Sequence, residues 1–139
     1  NEDPIFTWTF YIHDYARRCV SISIDETKRQ WVNDYVDDKT ETVHFTYNAD
    51  GYVTRTDTDE SLAVQSNVAY FDECLVILEL HLSARTITFY REYNGQKTKV
   101  HCFEDIKTKN MKYCVACYLW VTGKMTLQDF RVTHRHKAI

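Results

Sequence analysis

A period of two runs through most of the hydrophobic residues of this chain. FTWTFYI sets Phe6, Trp8, Phe10 and Ile12 against Thr7, Thr9 and Tyr11. VSISI sets Val20, Ile22 and Ile24 against serines, and VHFTY sets Val43, Phe45 and Tyr47 against His44 and Thr46. Successive side chains of an extended chain point to opposite faces, so each segment reads as a strand with one face in a core. Between Cys74 and Leu82 the same alternation places Cys74, Val76, Leu78, Leu80 and Leu82 together. Leu75 and Ile77 make the start of the second face apolar too, which predicts a central strand partly covered on both sides. Ser83 to Arg85 is a tight reversal, after which Ile87 and Phe89 resume the inward face. Asn94-Gly95 is the strongest local turn signal, because both residues tolerate φ > 0. A strand follows from Lys97 to Phe103, and YCVACYLWV with MTLQDFRV reads as a last hairpin turned at Gly123-Lys124. Asn48 to Gly51 makes another turn. Helical spacing is confined to DETKRQWVNDYVDD, where Trp31 and Tyr35, with Val32 and Val36, suffice for a turn or two. About eight or nine short strands with polar connections predict an all-β chain, an antiparallel two-sheet β-sandwich.

The chain is 139 residues long, which predicts a single domain over 1–139 with a sizeable core. Its 10 Tyr, 7 Phe and 3 Trp can fill that core, and only 3 Gly and 1 Pro argue against a disordered chain. A net charge of −3 gives no long-range attraction for nucleic acid or an anionic membrane. No run approaches the roughly 20 apolar residues of a membrane-crossing helix. The start, NEDPIF, lacks the build of a signal peptide. The missing initiator Met points to a domain of a larger protein or a mature form. The 5 Cys are odd in number, and most lie in apolar runs, where a thiol behaves as a small hydrophobe; a reducing compartment, cytosolic or nuclear, is expected.

From Asp72 to Val132 the chain resembles the C-terminal half of a SPRY-type domain, a concanavalin-like jelly-roll sandwich. That family runs from an acidic residue into an alternating apolar strand with L-D-L, a short turn, T-I-x-F-Y-x-N-G and an apolar strand rich in small residues. Here the run is Asp72, LVILELHLSARTITFY, Asn94-Gly95 and YCVACYL. FTWTFYI and CVSISID resemble the family's opening strands. His81 stands where Asp is usual, REY lengthens the segment before Asn94, and Cys114 replaces a common Pro. Several usual glycines are missing. The resemblance implies a non-enzymatic adaptor that binds a partner protein or short peptide through loops at one end of the sandwich. No ligand-contacting motif carries over.

Other chemistry finds less support in the residue pattern. Cys114-x-x-Cys117 lies on a strand, where residues three apart point to opposite faces, so packing is the expected role. His134 and His136 share a strand face and, with His101 or Cys102, form a candidate metal set; HRHK also reads as a solvated tail. DTDE at 57–60 has the carboxylates a Ca²⁺ loop needs but no glycine-containing ligand loop beside it. No G-x-S-x-G or glycine-rich phosphate loop occurs. Glycosidase chemistry needs two acids facing across a groove, and the strand pattern shows no inward-facing acid pair. No enzyme activity, cofactor or metal is therefore expected.

If successive strands simply reverse direction, the long connections 25–41 and 57–73 emerge at one end of the sandwich, with Asn94-Gly95 and Gly123-Lys124 beside them. Long loops gathered at one end suit binding. The predicted partner-binding set is Trp31, Tyr35 and Tyr70 for apolar contact, Asn94 at the turn, and Asp37, Asp38, Asp57 and Asp59 favouring a basic protein or peptide. The competing assignment has Trp31 and Tyr35 plugging the core. A lectin-like sugar site, tested on a glycan array with and without chelator, and a structural subunit of a larger assembly are the alternatives.

Overall fold

The computed structural model describes residues 2–15, 20–26, 43–57, 62–108, 113–119 and 123–136. Ten strands run through them: β1 (Glu2–Asp14), β2 (Val20–Glu26), β3 (His44–Asn48), β4 (Tyr52–Arg55), β5 (Leu62–Gln65), β6 (Leu75–His81), β7 (Thr86–Tyr93), β8 (Gln96–Phe103), β9 (Tyr113–Leu119) and β10 (Lys124–His136). They form two five-stranded sheets, ordered β10-β1-β6-β7-β8 and β5-β4-β3-β2-β9. Every pairing is antiparallel. This is the expected all-β two-sheet sandwich, with no helix among the described residues. The helix-like stretch around Trp31 lies outside them, apart from Asp25 and Glu26, which end β2.

The alternation read from the sequence is what closes the core. β1 contributes Phe10 and Ile12; β6 contributes Val76, Leu78 and Leu80; β7 contributes Ile87 and Phe89. Against them the second sheet sets Ile22, Ile24, Phe45, Tyr47 and Val53. Aromatic rings span the two layers: Phe45 lies 5.6 Å from Phe103, and Tyr47 lies 5.9 Å from Phe89. β6 is the middle strand of its sheet, as its two apolar faces require, and Ile77 is buried on the outer side. The serine face of β2 is less wet than its composition suggests. Ser23 is fully buried, and its hydroxyl donates to the carbonyl of Phe45 at 3.2 Å.

Three features depart from the sequence reading. The short strand β5 falls inside 57–73, which the sequence reads as connection, and β4 fills residues 52–55 between that stretch and the turn at 48–51. β1 and β10 are each 13 residues long, and their register carries Glu2 opposite His136, so His134 and His136 lie in a paired strand, on which His134 is exposed. Within that pair Thr9 meets Asp129 and Phe10 meets Leu127, leaving Gln128 as a bulge.

The two ends of the sandwich differ. One carries the Asn94-Gly95 turn of the β7–β8 hairpin, with φ of 51° and 76°, and the turn at Asn48–Gly51, where the Gly51 amide donates to the Asn48 carbonyl at 3.0 Å. The other carries the Leu82–Arg85 turn, Asp57 and residues 104–108.

Candidate functional site

At the Asn94 end, residues 66–74 are tied down from both sheets. The Ser66 amide and hydroxyl both donate to the Gly51 carbonyl, at 3.0 and 2.6 Å, and the Tyr70 amide donates to Ala49 at 3.2 Å. From the other layer, the Glu73 amide donates to Ile12 at 2.7 Å, and Asp72 accepts the Tyr15 amide at 3.0 Å. Arg91, at the end of β7, donates to the Ala69 carbonyl at 2.6 Å and sits 5.3 Å from the ring centre of Phe71. Its Nε is buried with no hydrogen-bond partner among the described residues.

Beneath this connection lies a pair of buried phenols. The Tyr47 hydroxyl donates to the Val68 carbonyl, the Tyr70 hydroxyl donates to the Tyr47 carbonyl at 3.3 Å, and the two rings meet edge to face at 4.9 Å. Burial pushes both phenols well above their ordinary range, so they stay protonated and act as hydrogen-bond donors. The loop is therefore a platform held by backbone bonds and buried rings.

On that platform Phe71 and Tyr93 meet edge to face at 4.7 Å, with Tyr93 40% exposed. Asn94, Asp72 and Glu73 are exposed around them. An aromatic pair on rigid backbone, rimmed by carboxylates, offers apolar contact area at low ordering cost and a preference for cationic neighbours.

The predicted site residues divide between the two ends. Asn94 is exposed on the platform. Tyr70 is at the same end but only 1% exposed, so it packs in the core and supports the surface from below. Asp57 lies at the opposite end, where both its oxygens take hydrogen bonds from Arg55, at 2.7 Å each. Arg55 in turn donates to the Glu104 carbonyl, just past the end of β8 that is remote from Asn94. The cause of the division is β5, which splits the 57–73 connection and reverses the direction of everything after it. Trp31, Tyr35, Asp37, Asp38 and Asp59 lie outside the described residues. β2 ends and β3 begins at the Asp57 end. Phe71 and Tyr93 were not in the predicted set; the only signal for Tyr93 was its place beside the Asn94-Gly95 turn.

Among the described residues, no three or more His, Cys, Asp or Glu side chains are grouped to hold a metal ion. His134 and His136 are on β10 and His101 and Cys102 on β8, the two opposite edges of one sheet. Cys114 and Cys117 sit along β9, opposite Asp25 and Ile22. Cys74, Cys102 and Cys117 are free thiols, and burial pushes the Cys74 thiol up, which keeps it neutral.

Among solved structures, the chain is similar to the SPRY domain of human HERC1, with a TM-score of 0.56 and 18% identity over 100% of this chain and 79% of that one. It is also similar to the TRIM65 PSpry domain, with a TM-score of 0.51 and 14% identity over 94% of this chain and 63% of that one. No family model matches the sequence, and no curated protein matches it. Two antiparallel sheets, a core built from their alternating faces and these two structural likenesses together give the chain a SPRY-type β-sandwich fold.

Proposed function

We propose that this chain is a non-enzymatic binding module that recognises a protein or short peptide, preferably a basic one, through the loops at the Asn94 end. The observation that carries the reading is the Phe71–Tyr93 pair, set on a connection anchored to both sheets and rimmed by Asp72, Glu73 and Asn94. Such a surface needs little rearrangement to bind, so less of the contact energy is spent on ordering it. We further propose that it works as one domain of a larger protein in a reducing compartment, which the free thiols at Cys74, Cys102 and Cys117 suit.

The test is selection from a peptide library, followed by affinity measurement on variants. Tyr93→Ala removes a half-exposed ring and should weaken the selected peptide about tenfold or more while leaving the melting temperature nearly unchanged. Trp31→Ala with Tyr35→Ala serves as the comparison. If that pair abolishes binding without loss of stability and Tyr93→Ala does nothing, recognition takes place away from the Phe71–Tyr93 surface and this reading fails.

A further inference from the structure

β10 is an edge strand: β1 occupies one side of it, and no described strand occupies the other. At 13 residues it is long for an edge, and it contains neither Pro nor Gly. Natural edges are usually kept short or interrupted, because a row of unpaired backbone donors and acceptors invites another strand. On the face that β10 shares with the inner residues of β1, Phe130 stacks on Trp8 at 5.3 Å, and Trp8 stacks on Phe6 at 6.4 Å. This aromatic row runs out at the edge, where Phe130 is 48% exposed and Val132 40%.

We propose that the β10 edge pairs with the β10 edge of a second copy, antiparallel about a two-fold axis at Phe130, so that the two sheets become one continuous sheet. The residues flanking Phe130 select this occupant. Asp129 and Arg131 are both exposed and lie on either side of Phe130, pointing to the face opposite its ring. Pairing about Phe130 sets Asp129 across from the partner's Arg131 and Arg131 across from the partner's Asp129. On the other face, Phe130 meets the partner's Phe130 and extends the row begun by Phe6 and Trp8. Cross-strand aromatic and opposite-charge pairs are the favourable unit of such a seam.

Neighbouring registers are worse. An axis at Asp129 opposes aspartate to aspartate, and one at Arg131 opposes arginine to arginine. An axis at Val132 sets Arg131 across from Thr133 and Phe130 across from His134, losing both the ring pair and the carboxylate partner of Arg131. The bulge at Gln128 confines regular pairing to a short segment around Phe130, so the complex should dissociate on dilution.

Sedimentation equilibrium on the full chain tests this. The wild type should show a reversible monomer–dimer equilibrium. Asp129→Arg or Arg131→Asp alone puts like charges across both pair positions and should weaken the dimer about tenfold. The double reversal, D129R with R131D, should restore it, because each pair is rebuilt with its signs exchanged. Circular dichroism and thermal melting establish that the surface variants remain folded. A wild type that stays monomeric at every concentration overturns the proposal. So does a dimer that ignores both single reversals, or one that the double reversal fails to recover.

Discussion

Replacing Asp57 with alanine separates a structural carboxylate from a recognition carboxylate. Asp57 is the one acid of the predicted binding set that lies among the described residues. Its side chain is 4% exposed and that of Arg55 14%, so the pair is largely out of water. Two parallel bonds of 2.7 Å join them, and a third donor of Arg55 reaches the Glu104 carbonyl at 3.0 Å. The guanidinium lies 5.7 Å from the ring centres of both Phe45 and Phe103. This clip thus joins β4 of one sheet to the end of β8 in the other, over the aromatic end of the core. Its hydrogen bonds to Asp57 raise the Arg55 pKa, so the cation persists at any working pH. Removing one partner of a fully buried pair costs about 3–5 kcal/mol, and a hydrogen bond to a charged group contributes about 1.5–3 kcal/mol. Arg55 keeps its Glu104 bond and some access to water, which places Asp57→Ala at about 2–3 kcal/mol. Asp57→Asn keeps the shape and one acceptor and should cost about 1–2 kcal/mol. In urea titrations with a slope of about 1–3 kcal/mol per molar, Asp57→Ala should lower the midpoint by about 1 M, with the slope unchanged. A double-mutant cycle with Arg55→Met should return a coupling of about 1.5 kcal/mol. Stability within about 0.5 kcal/mol of wild type would refute the clip. Lost partner capture at unchanged stability would return Asp57 to the recognition surface.

The Tyr47 hydroxyl should contribute to stability at the opposite end. Tyr47→Phe removes the donor to the Val68 carbonyl and should cost about 1–2 kcal/mol, read as a melting temperature lower by several degrees and faster amide exchange across 66–74; an unchanged melt would mean the buried bond adds nothing. His101 should give the fold a pH dependence. Burial, followed by Lys99 and Arg55, holds its imidazole below the ordinary histidine range. The unfolded chain therefore binds the proton more readily, so stability is complete above about pH 6.5 and declines as pH falls through the folded value. The slope should be modest, because the ring is only partly buried, and His101→Gln should flatten it; a melting temperature equally steep in the variant would exclude His101 as the source.

What was legible in the sequence, and what was not, follows from how far each signal reaches along the chain. Alternation is local: Phe10, Val76, Leu78, Ile87, Phe89, Phe45 and Tyr47 all face the core because each lies in a strand long enough to display its period. The turn at Asn94-Gly95 was legible for the same reason, since its two positive φ values need only those two residues. β4 and β5 are four residues each, too short for a period of two to stand out, with Val53 the single fully buried residue of β4. That omission left the core assignment intact, because the strands that were read still face one another. Its effect on the site was larger. Which end a loop occupies depends on the number of strands before it, so one unrecognised strand transfers every later loop to the other end. Asp57 and Asn94, expected side by side, are separated by the length of β8 for this reason alone. Tyr70 shows a second route by which local reading falls short. It sits in a connection with no alternation to mark it, yet bonds to the Ala49 and Tyr47 carbonyls draw it into the core. Phe71, its neighbour, reaches Tyr93 only because β6 and β7 bring residues distant in the chain to one end. Core residues are thus set by nearest neighbours in sequence, whereas a binding surface on a sandwich is set by the whole strand order, and a single short strand is enough to redraw it.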